Sequence, residues 1–265
     1  MRQPSTSLLN VFTKRVLAQV LAMLGVVASF GLASGEAHAD DGVIEINRAV
    51  VESGSLGGDS PGFPLTLTQA GSYRLTENLD MLALGTVPSD VIQITGDDIS
   101  LDLNGFRLEC HRPTIPTRTL CKGLNTFSNG VIVQGSNVEI KNGTIRGMAG
   151  DGIDASFSTN NGLMISNIRS VDNGFDGIAI RGASQVWNSQ FHENGSYGIN
   201  LFSGGNVQLR GVLSTGNNVG LRMTGVVFMG DSTIQDGYTG ASIGNIYPYT
   251  CNYIMDGQAI FTRCP

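Results

Sequence analysis

Eight side chains between residues 151 and 222 could act together on a sugar: Asp151, Asp154, Asp176, Arg181, Tyr197, Asn200, Phe202 and Arg222. Carboxylates and amides hydrogen-bond hydroxyls, guanidinium groups grip charged groups, and aromatic faces stack on the apolar side of a ring. Asp151, Asp176 and Arg222 are the candidates for catalysis, with Asp154, Arg181, Tyr197, Asn200 and Phe202 as substrate contacts. Hydrolysis needs two carboxyls in opposite protonation states, and repulsion between Asp151 and Asp176 would raise one of their pKa values. Elimination needs a base, which Arg181 or Arg222 could supply. It would also use Ca²⁺ held by Asp151, Asp154 and Asp176 to neutralise a uronate carboxylate. No other cofactor is implied. The competing explanation is structural: Asp-Gly and Asn-Gly turn corners, so Asp151, Asp172 and Asp176 could be turn residues alone.

Other chemistries are poorly served. Gly150-Asp151-Gly152 lacks a following Lys-Ser/Thr, so no phosphate loop is implied. No Ser-His-Asp order with a nucleophile elbow occurs either. His111 and His192 are scattered and no Cys-x-x-Cys is present, which argues against zinc. His192, in a Glu193-Asn-Gly turn, reads as a surface histidine. With 16 Lys+Arg against 22 Asp+Glu and no basic stripe, the 265-residue chain does not resemble a nucleic-acid binder. The net charge of −6 also works mildly against a polyanionic ligand. Its 36 glycines, without a Gly-X-Y period, favour a turn-dense β fold.

The elements that must position the candidate residues come from an internal repeat. Gly130-Val-Ile-Val, Gly152-Ile-Asp-Ala, Gly177-Ile-Ala-Ile, Gly198-Ile-Asn-Leu, Gly220-Leu-Arg-Met and Gly240-Ala-Ser-Ile follow at spacings of 22, 25, 21, 22 and 20 residues. The first and third residues after each Gly are apolar and the second is mixed: Ile132, Asp154, Ala179, Asn200, Arg222, Ser242. That alternation predicts a strand with one buried face. A second strand follows, carried by Val138 and Ile140, Leu163 and Ile165, Val207 and Leu209, with Val186 and Met229 in matching places. Asn142, Asn167 and Asn188 come next; Asn accepts left-handed geometry and can stack in a hydrogen-bonded ladder. A third apolar patch, Ile145, Val171, Phe191 or Ile234, precedes an Asn/Gly/Asp-rich corner. Stacked coils put equivalent residues ~4.8 Å apart, so Asp151, Asp176, Tyr197 and Val219 should form a column. The fold class is therefore all-β, a right-handed parallel β-helix (solenoid) with a short N-terminal cap and a disulfide-closed C-terminal end.

Residues 1–39 read as a secretory signal, with Arg2, Lys14 and Arg15, an apolar Val16 to Leu32 run and the Ala37-His38-Ala39 cleavage site. Residues 40–265 would be one β-helix domain: 40–86 the N-terminal cap and first coil, 87–245 regular coils, 246–265 the C-terminal cap. Its net charge would be −8, with no membrane span after cleavage. Export to the periplasm, the cell surface or the medium makes disulfides the expectation for Cys110, Cys121, Cys251 and Cys264. Of three possible pairings, Cys110–Cys121 and Cys251–Cys264 are favoured because each closes a short loop. Open strand edges invite polymerisation, so Gly42 to Val51 and the Cys251–Cys264 loop are the expected plugs.

Ile99-Ser-Leu-Asp-Leu-Asn-Gly-Phe, Lys141-Asn-Gly-Thr-Ile and the recurring Asp-Gly-Ile resemble the parallel β-helix repeat proteins of the pectin-lyase-like superfamily. Gly62-Phe-Pro-Leu-Thr-Leu, Gly71-Ser-Tyr-Arg-Leu-Thr and the terminal Cys251-Asn to Cys264-Pro265 resemble one group of secreted bacterial proteins of that kind. The order of site residues also resembles the polygalacturonase series Asn-Thr-Asp-Gly, Asp-Asp, Gly-His-Gly, Arg-Ile-Lys. The matching places are Ala149-Gly150-Asp151-Gly152, Phe175-Asp176, Ser196-Tyr197-Gly198 and Arg222-Met223-Thr224. Asp151, Asp176 and Arg222 carry over, whereas Phe175, Tyr197 and Thr224 replace the family's proton-donating Asp, its His and its Lys. The resemblance implies a polysaccharide partner and, if the protein is an enzyme, a glycoside hydrolase or polysaccharide lyase. The alternative is a non-catalytic structural or surface protein, a rigid rod or an adhesin-like module. The oligomeric state is open. Trp187 and Tyr197 are possible stacking platforms, although Trp187 follows inward-facing Val186 and would then cover the outer face.

Overall fold

Alternating apolar residues bury one face of each short strand, and successive coils bury it against one another. The computed structural model describes residues 42–81, 89–110, 121, 127–157, 162–202, 206–240, 246–248, 252–256 and 259–263, all within the unit Asp41–Pro265. The expected signal segment 1–39, His111, the Cys251–Cys264 pair and residues 241–245 lie outside the described residues.

Strands Leu65–Leu67, Ile92–Ile94, Val131–Val133, Ile153–Ala155, Ile178–Arg181, Tyr197–Phe202, Val219–Met223 and Tyr238–Gly240 form an eight-stranded sheet. Each strand runs parallel to the next, one coil along the chain. The rest of each coil joins a sixteen-stranded sheet. Its strands Glu139–Arg146 and Leu163–Val171 bend at Asn142 and Asn167, both at positive φ, so one strand supplies two faces. Ile92, Val131, Ile153, Ile178, Ile199 and Leu221 stack inward, fully buried. Leu101, Ile140, Ile165, Val186, Leu209 and Met229 do the same under the larger sheet.

At one end the strand Val43–Ile46 pairs with Gly71–Leu75 and leads into the helix Arg48–Ser53. The Asn47 side chain caps that helix by accepting from the Val50 N–H at 3.0 Å. At the other end Asn252–Asp256 pairs antiparallel with Ala259–Arg263. Cys110 and Cys121 are disulfide-bonded, as the spacing suggested.

Two expectations about register need correction. The last strand of the eight-stranded sheet opens at Gly237, not Gly240: the Leu221 N–H donates to the Gly237 carbonyl, and Thr239 rather than Ser242 stands beside Arg222. The Asp236-Gly237 corner, at φ 68° and 78°, turns the chain straight into the strand. The third inward place in the Leu163–Val171 strand is Ser170, not Val171, because the left-handed residue Asn167 resets the alternation. Val171 faces outward between Arg146 and His192. The inward column then reads Ile145, Ser170, Phe191, Ser214, Ile234. Small serines on either side of Phe191 make room for its ring. Their hydroxyls donate to the carbonyls of Gly177 and Gly220 at 2.8 and 2.7 Å.

Ladders of side chains tie the corners. Asn142 donates to Asp102 Oδ1 and Asn167 to Asn142 Oδ1, each at 3.1 Å. A buried ladder runs through Asn173, Asn194 and Asn217: each of the first two donates its amide to the next Oδ1 at 3.0 Å. The backbone N–H groups of Asn173 and Asn194 share those acceptors. Burial without partners would cost each such amide about 1–3 kcal/mol, so the ladder is a condition of stacking.

Candidate functional site

The predicted column exists. The Asp176 N–H donates to Asp151 Oδ1 at 2.7 Å, the Tyr197 N–H to Asp176 Oδ1 at 3.0 Å, and Tyr197 faces Val219 in register. The line extends the other way through Asn129, whose Oδ1 accepts from the Asp151 N–H, to Asp90, which accepts from the Asn129 N–H at 2.9 Å. Asp90, Asn129, Asp151 and Asp176 thus each spend one oxygen on the backbone of the next coil. That corner-tying role of Asp151 and Asp176 is the structural explanation the Asp-Gly pairs suggested.

Their other atoms are less fully used. Asp176 Oδ2 accepts from the Asn200 amide at 2.6 Å, and Asp154 Oδ1 accepts from the Ser156 N–H and hydroxyl at 3.0 and 2.6 Å. Burial, and then the charges of Asp176 and Asp154, push the Asp151 carboxyl up to about 8, against the pull of the Asp176 N–H. Asp90 is raised too, mainly by burial. At neutral pH Asp151 holds a proton. Among the described residues no group of three His, Cys, Asp or Glu side chains is arranged to hold a metal ion. The Ca²⁺ trio has oxygens already engaged with backbone, hydroxyl and amide groups.

On the outer face of the eight-stranded sheet the central column reads Thr66, Gln93, Ile132, Asp154, Ala179, Asn200, Arg222. Its middle members point outward yet are buried: Asp154 is 7% exposed and Asn200 4%. They form a recessed floor. Along the same strands, Arg222 lies over the rings of Tyr197 and Phe202 at 5.5 and 5.4 Å, and Arg181 lies over Phe202 at 5.7 Å. Two atoms here are buried with no hydrogen-bond partner among the described residues, Arg181 Nε and Asn200 Oδ1. Phe175, where the polygalacturonase resemblance expects an acid, stays half-exposed with its ring centroid 5.2 Å from that of Phe127. Phe157, just past Asp154, is exposed as well.

The structure therefore gathers Asp151, Asp154, Asp176, Arg181, Tyr197, Asn200, Phe202 and Arg222 on one face. Sequence reasoning missed Asp90, Phe127 and Phe157: Asp90 holds the column's place in a coil where Val91 replaces the marker glycine, and the two phenylalanines fall outside the strand positions of the repeat. His192 is elsewhere: its Nε2 accepts from Arg169 Nε at 2.9 Å, on the larger sheet.

Parallel coils, inward apolar stacks and corner ladders define a β-helix repeat protein. Residues 129–254 match the family model described as a right-handed beta helix region, which gives the coil its hand and agrees with the superfamily resemblance of the repeats. No curated protein and no solved structure matches the chain.

Proposed function

We propose that this is an exported carbohydrate-binding β-helix, acting in the periplasm, at the cell surface or in the medium. A polysaccharide would lie across the outer face of the eight-stranded sheet. The observation that carries the reading is the orphaned pair Arg181 Nε and Asn200 Oδ1, a donor and an acceptor on neighbouring coils. A sugar hydroxyl both donates and accepts, so it can satisfy each of them. Arg222, held over two aromatic rings, and the protonated Asp151 carboxyl add donors, while Asp176 adds an acceptor. Phe127, Phe157 and Phe175 offer exposed faces for ring stacking.

A second reading, polysaccharide processing, is favoured only by Asp151, whose bound proton is what a general acid requires. Against it, the acid expected at position 175 is a phenylalanine.

A binding screen against neutral and uronic polysaccharides tests the proposal. Wild type is expected to be retarded by at least one polysaccharide in native affinity gels. Arg222→Ala should weaken that retention at least tenfold, which is about 1.4 kcal/mol. Asp176→Asn should weaken it too, and a reducing-end assay on the bound polymer separates binding from cleavage. No retention by any glycan would leave only the rigid-rod alternative.

A further inference from the structure

A cleft on the other sheet takes no part in the site above. Trp187, Asn188, Gln208, Arg210 and Phe228 line a cavity of about 550 Å³ on the outer surface of the sixteen-stranded sheet. That volume is in the range of small-ligand sites. Register explains its shape. Gln185, Gln208 and Phe228 are one outward column on three successive coils, and Trp187, Arg210 and Gly230 are the next. The third place of the second column has no side chain, which leaves room beside Phe228. Trp187 and Phe228 stand two coils apart and two residues apart along the strand, ~12 Å by strand spacing and rise. Gln208 and Arg210 occupy the coil between them, so the two aromatic side chains wall opposite corners of the cleft and each offers a ring face to a saturated ring lying in it.

The polar lining narrows the ligand. Gln208, on the coil between the aromatics, and Asn188 carry amides that both donate and accept, as vicinal hydroxyls require. Arg210 is paired with Asp231 at 3.6 Å, so its charge is already compensated. An anionic ligand would have to compete with that carboxylate, whereas a neutral one would not. We infer that this cleft is a second carbohydrate site, taking a single neutral pyranose unit of a glycan against the Trp187 ring, with Phe228 as the far wall and Gln208 and Asn188 at its hydroxyls. It lies on a different sheet from the orphaned Arg181 and Asn200 atoms and does not depend on them.

Trp187 is the chain's one tryptophan, so its emission reports on this cleft directly. The intact protein is titrated with cellohexaose, maltohexaose and mannohexaose, and with an oligouronate of similar length. The expected result is a saturable change in emission with at least one neutral hexaose and not with the oligouronate. It should persist in Arg222→Ala and weaken at least fivefold in Gln208→Ala, an exposed position whose loss leaves the core intact. Phe228→Leu, checked for unchanged circular dichroism, should weaken it as well. Emission that ignores all three neutral hexaoses, responds only to the uronate, or is unaffected by Gln208→Ala overturns the site. Silent emission together with glycan retention that Arg222→Ala abolishes would remove this cleft and leave the first face standing. A Trp187 response in a protein indifferent to Arg222→Ala would do the reverse.

Discussion

Gly177→Ala is expected to destabilise the β-helix by about 3 kcal/mol, at the upper end of overpacking costs, because nothing around the new methyl can move away. A Cβ at Gly177 would stand 2.6 Å from the Gly198 carbonyl oxygen, 2.7 Å from Asn194 Nδ2 and 3.0 Å from Phe191 Cδ1. The first is backbone of the next coil, the second belongs to the buried asparagine ladder, and the third is a ring fixed between two serines. The opening glycines Gly130, Gly152, Gly177, Gly198 and Gly220 are therefore demanded by close approach between coils, and none of them has positive φ. Gly105 supplies the contrast: it has left-handed φ, +80°, and nothing lies within 4 Å of the place a Cβ would take. Gly105→Ala should cost only backbone strain, about 1 kcal/mol. Urea unfolding followed by circular dichroism would rank the two, and equal midpoints would refute the close-contact explanation.

The second large effect is a pH dependence that Asp151→Asn should flatten. In the unfolded chain this carboxyl titrates near its ordinary value of 3.8, and in the folded protein at about 8. Between those values the folded state holds a proton that the unfolded state has released. Its contribution is therefore present in full below the lower value and is lost as pH rises through the upper one. The linkage slope is about 1.4 kcal/mol per pH unit between the two values, and water near the carboxyl lowers the upper value, shortening the span over which that slope acts. From pH 5 to 8 the wild type should lose roughly 3 kcal/mol through this group. Asn at 151 keeps an Oδ1 for the Asp176 N–H, resembles the protonated acid and cannot ionise. The variant should match wild type near pH 4 and exceed it near pH 8.5, with a small residual slope from Asp90, also raised. Parallel stability–pH curves for the two proteins would refute the assignment. Glycan retention provides a companion readout: it should fall above pH 8 in wild type and not in Asp151→Asn, whose amide still donates.

Much of this architecture is legible from period and alternation, because the inward places depend on local pattern alone. Gly130, Gly152, Gly177, Gly198 and Gly220 mark successive coils correctly, and the column through Asp151, Asp176 and Tyr197 follows from their spacing. Legibility fails where a residue resets the parity or opens a coil early. Asn167 hides Ser170 behind the more hydrophobic Val171, and Asp236-Gly237 disguises the last coil. Asn173, Asn194 and Asn217 read as turn residues, since Asn beside Gly signals a corner whether its amide faces solvent or the core. The candidate site is legible in its members and not in its relief. Nothing in the order of residues says that Asp154 and Asn200 lie buried on an outward face, or that Phe127 meets Phe175.

The backbone hydrogen bonds between coils point along the axis of the stack, which gives the protein a mechanical character. Drawn from one terminus along that axis, each coil peels from its neighbour one bond at a time, and tension is released in steps rather than all at once. A repeat of ~22 residues frees about 75 Å of contour per step. A stack of this kind would yield gradually under load and rewind when the load falls.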